Sequence, residues 1–177
     1  MKVLVGPDST HVEQRDSAGF SRLFGDFYTD RDNKFFIKSE ALVQGKDSLE
    51  FMSVFIEMPR RLDSATLTRD GDYFIDKSNV ICIFGNSDGG GYTPLLGADP
   101  ASFKAFRNVY GGKDRRHVYY QDRVLEGVNP DNVRVYSDSK SCANCDGYFR
   151  DGKILYHDWQ RIPDTAYAIP GEYKYVE

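Results

Sequence analysis

The chain has 177 residues, 40% hydrophobic and 28% charged, so it can bury a core without disulfide staples and is too apolar to stay disordered. Its formal net charge of −4 speaks against the clustered basic surface that nucleic-acid binding needs, and no run approaches the ~18 apolar residues of a membrane-crossing helix. Aromatics make up 14%, with 12 Tyr and 12 Phe against one Trp, which favours strands because Tyr and Phe suit a half-buried pleated surface.

Val3 to Val5 predicts a first strand. The apolar run stops at Gly6-Pro7-Asp8, too short for the apolar region of an export signal. The chain as it stands is therefore expected in the cytoplasm, or in the periplasm if an export signal was removed. Asp16 to Tyr28 places Phe20, Phe24 and Phe27 along one face of a short helix. Tyr28 to Ile37 then reads as an aromatic, a charged turn holding Asp30 and Asp32, and an apolar run. Phe51 to Met58 is apolar enough for a central strand, ended by Pro59. Leu62 to Leu67 suggests a degenerate helix. Asp70-Gly71 supplies a tight hairpin turn, since glycine takes positive φ at no steric cost. Asp76 leads a second charged turn into Val80-Ile81-Cys82, where Cys82 reads as a small buried hydrophobe.

Asn86 to Pro94, with three consecutive glycines, predicts a loop. Asp99 to Tyr110 carries helix signals: Asp99 at the N-cap, Pro100 at the first position, an apolar face of Phe103, Phe106 and Tyr110, and Gly111-Gly112 at the end. Asp114 leads the third charged turn into Val118-Tyr119-Tyr120. Alternation there sends one tyrosine to the core and the other to solvent or a partner. Asp151-Gly152 forms the fourth turn, before Ile154-Leu155-Tyr156. Tyr167, Tyr173 and Tyr175 mark the tail as a final edge strand.

The turn aspartates Asp30, Asp76, Asp114 and Asp151 recur at 37 to 46 residues, within the range of repeat architectures. The expected fold is mainly β, or α+β by content. It consists of repeated β-hairpins with a few short helices in a single domain over residues 1–177, with repeats near 16–42, 62–84, 99–125 and 133–158.

These copies resemble the bacterial DKNYY family, above all Asp114 to Tyr120 preceded by Gly97-Ala98-Asp99-Pro100-Ala101-Ser102-Phe103. Its signature is an Asp-Lys-Asn turn leading to a Val-Tyr-Tyr strand. Here Arg115 and Arg116 stand for Lys and Asn. The second copy keeps Asp76-Lys77 but ends Val80-Ile81-Cys82, and the first has Lys34 where Val belongs. The resemblance implies a β-rich bacterial repeat protein and carries over no catalytic motif. By analogy with small bacterial proteins of this build, it points to an immunity protein that binds a cognate protein toxin and occludes it without chemistry. The alternatives are an envelope-associated or structural repeat protein, and an enzyme with a dispersed polar site. Neither a nucleic acid nor an inserted membrane is among the expected partners.

Candidate partner-binding residues are Asp70, Asp72, Asp88 and Asp146 at loop tips, Tyr92 beside the glycine run, and Trp159 next to Asp158 and Arg161. Acidic tips complement a basic partner, and Trp and Arg are enriched at interface anchors. Asp also favours turns for purely local reasons. Cys142-Ala143-Asn144-Cys145 is half of a zinc knuckle, and His157 is the best-placed further ligand. A turn closed by Asp146-Gly147 accounts for the same residues. No cofactor is expected otherwise. The histidines join no nucleophile motif in sequence.

Overall fold

The structure is a computed structural model that describes residues 2–6, 13–44, 49–58, 62–63, 65–84, 91–95, 97–138, 146–152, 154–163 and 167–177. Nearly every element is a strand. The chain divides into two compact units, residues 1–65 with 83–92, and residues 66–82 with 93–177.

The first unit contains β1 (Lys2–Gly6), β2 (Glu13–Asp16), a single 3-10 turn (Ser17–Gly19), β3 (Ser21–Phe24), β4 (Phe27–Thr29), β5 (Phe35–Gln44) and β6 (Leu49–Glu57). They form one sheet in the order β2-β1-β6-β5-β4-β3. All its pairs are antiparallel except β1 with β6, where Leu4 lies opposite Val54. Alternation sends Val3, Val5, Phe36 and Phe55 to one face with Phe20 and Tyr28, and Val54 and Ile56 to the other with Leu4 and Tyr92. Both faces are covered, so the central strands are apolar at successive positions, as Phe51 to Met58 suggested.

The second unit holds β7 (Thr68–Asp70), β8 (Tyr73–Ile75), β11 (Lys104–Ala105), β12 (Gly111–Lys113), β13 (Val118–Tyr120), β14 (Arg123–Val124), β15 (Arg134–Asp138), β16 (Gly147–Asp151), β17 (Ile154–His157), β18 (Gln160–Arg161) and β19 (Tyr173–Tyr175). The chain crosses between the units three times, between residues 65 and 66 and inside β9 (Val80–Phe84) and β10 (Gly91–Pro94). Three sheets result, in the orders β10-β9-β8-β7, β11-β12-β13-β14 and β18-β17-β16-β15-β19. Hairpins turn at both expected places, but one residue later than an Asp-Gly turn implies: Asp70 pairs with Tyr73 and Asp151 with Ile154, so each aspartate ends the incoming strand and Gly71 (φ +57) and Gly152 (φ +55) open the turns. The tail does dock as an edge strand, β19 against β15.

Among the described residues, the expected short helices are not there. Asp99, the expected cap, does cap, and Asp16, Asp63 and Asn129 behave alike: each of the four accepts the N–H two positions on, at 3.2, 3.0, 3.1 and 2.9 Å. Each turn then runs into a strand. At Asp99 the carbonyl collects the N–H groups of Ser102 and Phe103, one turn's worth, and Lys104 is already paired with Lys113. Sheet pairing outweighs a helix propensity worth tenths of a kcal/mol per residue. Phe103, Phe106 and Tyr110 are buried all the same.

Gly111-Gly112 does not end a helix but forms β12. A Cβ on Gly111 would lie 2.5 Å from the Tyr119 carbonyl oxygen, and one on Gly112 would lie 2.5 Å from the Phe103 ring. Close backbone approach, not positive φ, requires glycine at both positions.

The split expected between Tyr119 and Tyr120 also fails, because both are buried. Rings cover each face of their sheet. Phe103 lies between Tyr73 (4.8 Å) and Tyr119 (5.9 Å) on one side, and Phe149 meets Tyr120 (6.0 Å) and Phe106 (5.9 Å) on the other. Each hairpin repeat thus buries its neighbour's aromatic face, as repeat proteins require.

A longer cassette unites the copies. Leu95, Gly97, Ala98, Asp99 and Pro100 are matched 30 residues on by Leu125, Gly127, Val128, Asn129 and Pro130. Gly97 and Gly127 share a φ near +80, and the Leu95 and Leu125 N–H groups donate to Val80 and Val118 at 2.8 Å each. The Asp99 N–H reaches the Asp114 carboxylate at 2.8 Å, and the Asn129 N–H reaches that of Asp151 at the same distance. Turn aspartates therefore clamp the start of their own repeat.

Candidate functional site

Among the described residues, the third repeat contains the closest approach to catalytic chemistry, a histidine, a carboxylate and a tyrosine. Asp114 is 3% exposed. Its carboxylate accepts from the N–H groups of Asp99, Arg116 and His117 (2.8, 2.7 and 2.7 Å) and from the Tyr119 hydroxyl at 3.0 Å. Burial works to raise its pKa, but these four donors outweigh it and hold the carboxyl below its ordinary range. His117 Nδ1 stands 3.9 Å from Asp114, outside hydrogen-bond reach, and takes a 3.3 Å contact from Tyr119 instead. An acceptor already holding four donors is a structural hub, not a poised base.

The residues singled out in sequence separate into three groups. Asp70 accepts the Ala105 N–H at 2.8 Å and ties one repeat to the next. Asp72 is half-buried, and desolvation raises its carboxyl. Tyr92 donates to the Glu57 carbonyl at 2.9 Å, and burial pushes its phenol up to about 12. Cys82 is buried, with its thiol pushed up to about 12 by desolvation, so it is inert. Asp88, Cys142 and Cys145 lie outside the described residues. The third group, Asp146, His157 and Trp159, comes together at one corner of the last sheet.

The β17–β18 turn builds this corner. His157 pairs with Gln160, leaving Asp158 and Trp159 as the two turn residues, and Asp158 takes φ +54, which Asp tolerates better than most residues. The Asp158 backbone N–H donates to the Gly147 carbonyl (2.9 Å), while its carboxylate accepts the Gly147 N–H at 3.0 Å. Trp159, 44% exposed, lies 5.8 Å from Tyr120, and the Arg123 guanidinium sits 5.3 Å above its ring. His157 stacks on Tyr148 at 4.4 Å and meets Tyr173 edge-on. Desolvation, then the Asp146 charge, raise the Asp158 carboxyl. Burial, Asp158 and Asp146 together push the Tyr120 phenol up. One ligand atom each of Asp146, His157 and Asp158 falls within 4.8 Å of the other two, an arrangement able to hold a metal ion. Trp159 and Asp158 were legible as neighbours in sequence. Arg123 and Tyr120 carried no such signal, because only the stacking of repeats brings them to Trp159.

On the same sheet, an open groove of about 640 Å³ is lined by Asp131, Arg134, Arg150, Asp151 and Tyr175. No helix among the described residues is long and apolar enough to cross a membrane.

Hairpins turned by clamped aspartates and buried against one another's tyrosines define a β-rich repeat protein. The DKNYY family model matches residues 73–175, more than half of the chain. The chain belongs to the DKNYY family. The match takes in the third and fourth copies, starts within the second and leaves the first outside. No curated protein and no solved structure matches the chain.

Proposed function

We propose that the chain acts by binding a protein partner through its last repeat, as an immunity protein that occludes a cognate toxin without catalysis. One observation carries the reading. Of the five exposed large hydrophobic side chains among the described residues, Trp159, Tyr167 and Tyr175 all fall within the last 19 residues, at 44%, 36% and 63% exposure. The buried turn carboxylates and tyrosines that could serve chemistry are engaged by the scaffold. Trp159 with Arg123 stacked over it has the composition of an interface anchor, and the acidic Asp146 and Asp158 beside it complement a basic toxin. Occlusion needs only a complementary surface of roughly 800 Å² per partner.

The test is co-expression with the product of the adjacent gene, scored by growth rescue and by recovery of a stable complex. Wild type is expected to rescue and co-purify, and Trp159→Ala to lose at least ~10-fold in affinity while staying folded. Rescue by folded Trp159→Ala at wild-type dose, or neither rescue nor complex with wild type, removes the proposal.

A further inference from the structure

The Asp146–His157–Asp158 cluster does something no scaffold role accounts for. The Asp114 carboxylate, by contrast, is surrounded by four donors. In the cluster two carboxylates lie within 4.8 Å of each other and of an imidazole nitrogen. Of the two, only Asp158 has a described hydrogen bond from the backbone, at Gly147. Like charges held this close repel unless a cation or a proton intervenes. The second observation concerns the histidine of the cluster. His157 Nε2 is buried and has no hydrogen-bond partner, the one such side-chain nitrogen or oxygen among the described residues. Leaving a buried polar atom unpaired costs about 1–3 kcal/mol, so it calls for an explanation such as an ion.

From these we infer that Asp146, His157 and Asp158 form a divalent-cation site suited to zinc. The ligand set favours a transition metal over the alkaline earths. An imidazole with two carboxylates suits zinc, whereas calcium and magnesium take all-oxygen shells. Zinc bonds of about 2.0–2.1 Å place tetrahedral ligand atoms about 3.4 Å apart, so the cluster has to close by roughly 1.5 Å at most. Asp146 is exposed and free to make that movement, while β17 and the Asp158 turn hold the other two. Three protein ligands leave a fourth position open.

The chain carries its own reporter. Trp159, its only tryptophan, follows Asp158 directly and packs on Tyr120, whose phenol feels the Asp158 charge. Chelator-treated full-length protein is titrated with zinc chloride, following Trp159 fluorescence and competition with a chromogenic chelator. The expected result is one zinc per chain with a saturable fluorescence change. Asp146→Asn is the decisive variant, because an exposed residue does not carry the fold. It and His157→Gln are each expected to weaken binding at least ~10-fold, while Asp122→Asn, exposed and outside the cluster, leaves it unchanged. Absence of stoichiometric zinc in wild type overturns the assignment. So does zinc held equally by Asp146→Asn and His157→Gln but lost from a Cys142→Ser, Cys145→Ser double variant. Loss of toxin binding in Trp159→Ala with zinc affinity intact leaves this site standing, so the two proposals fail separately.

Discussion

Replacing Asp114 by Asn changes one atom and should unsettle the third repeat. Asn keeps an acceptor oxygen for the Arg116 and His117 N–H groups, but its amide nitrogen takes the place of the oxygen that meets the Asp99 N–H and the Tyr119 hydroxyl. The hydroxyl can reverse and accept. The Asp99 N–H cannot, and it loses a charge-assisted bond worth about 1.5–3 kcal/mol. The two surviving bonds weaken as their acceptor becomes neutral, at roughly half a kcal/mol each. The total is about 3 kcal/mol, which at a urea dependence of about 2 kcal/mol per molar lowers the midpoint by about 1.5 M. Asp30 is the control. One of its oxygens accepts both the Asp32 and Lys34 N–H groups (2.9 and 3.0 Å), and Asn preserves that oxygen. Asp30→Asn should cost less than about 1 kcal/mol. Because the Asp114 pKa is depressed in the folded state, its contribution is present above the unfolded value near about 4 and is lost as pH falls through the folded pKa. The gap between wild type and Asp114→Asn should therefore narrow in acid. The assay is urea denaturation read by far-UV circular dichroism, which follows the strands of both units, alongside Trp159 fluorescence for the unit that holds Asp114. Equal midpoint shifts for Asp114→Asn and Asp30→Asn would refute the clamp.

Gly111→Ala should destabilise by at least about 2 kcal/mol, since its Cβ meets a strand carbonyl at 2.5 Å, whereas Gly152→Asn, with open space and φ +55, should cost less than about 1 kcal/mol; thermal melts separate them. Phe149→Ala removes a fully buried ring between Phe106 and Tyr120 and should cost about 3–5 kcal/mol in urea. Tyr73→Phe leaves the ring but removes the 2.9 Å bond to the Gln121 carbonyl, which should cost about 1–2 kcal/mol by the same assay.

Much of the scaffold was readable because its signals are local. Asp-Gly turns, Asp-led charged turns and aromatic runs specify hairpins through backbone geometry alone, and those hairpins are present. Capping at Asp99 was also readable, but its continuation was not. A cap signal fixes one turn, and whether a helix or a strand follows depends on what Phe103 and its counterparts are buried against. The paired burial of Tyr119 and Tyr120 was hidden for the same reason: strand alternation predicts two faces but not that both are covered. Two of the three crossings between units fall inside β9 and β10 and not in a linker, so composition carries no mark of them. At the candidate site, Trp159, Asp146 and His157 were visible as residue types. Their convergence with Tyr120 and Arg123 depends on the hairpin register and on the packing of one repeat against the next.

Hydrogen–deuterium exchange on the chain with and without the partner recovered by co-expression tests most directly whether the last repeat is the working surface. Added protection at residues 146–161 and 167–175, with the β1–β6 sheet unchanged, is the predicted result. Protection centred on β1 to β6, with the Trp159 corner exchanging as freely as in the isolated chain, would contradict it.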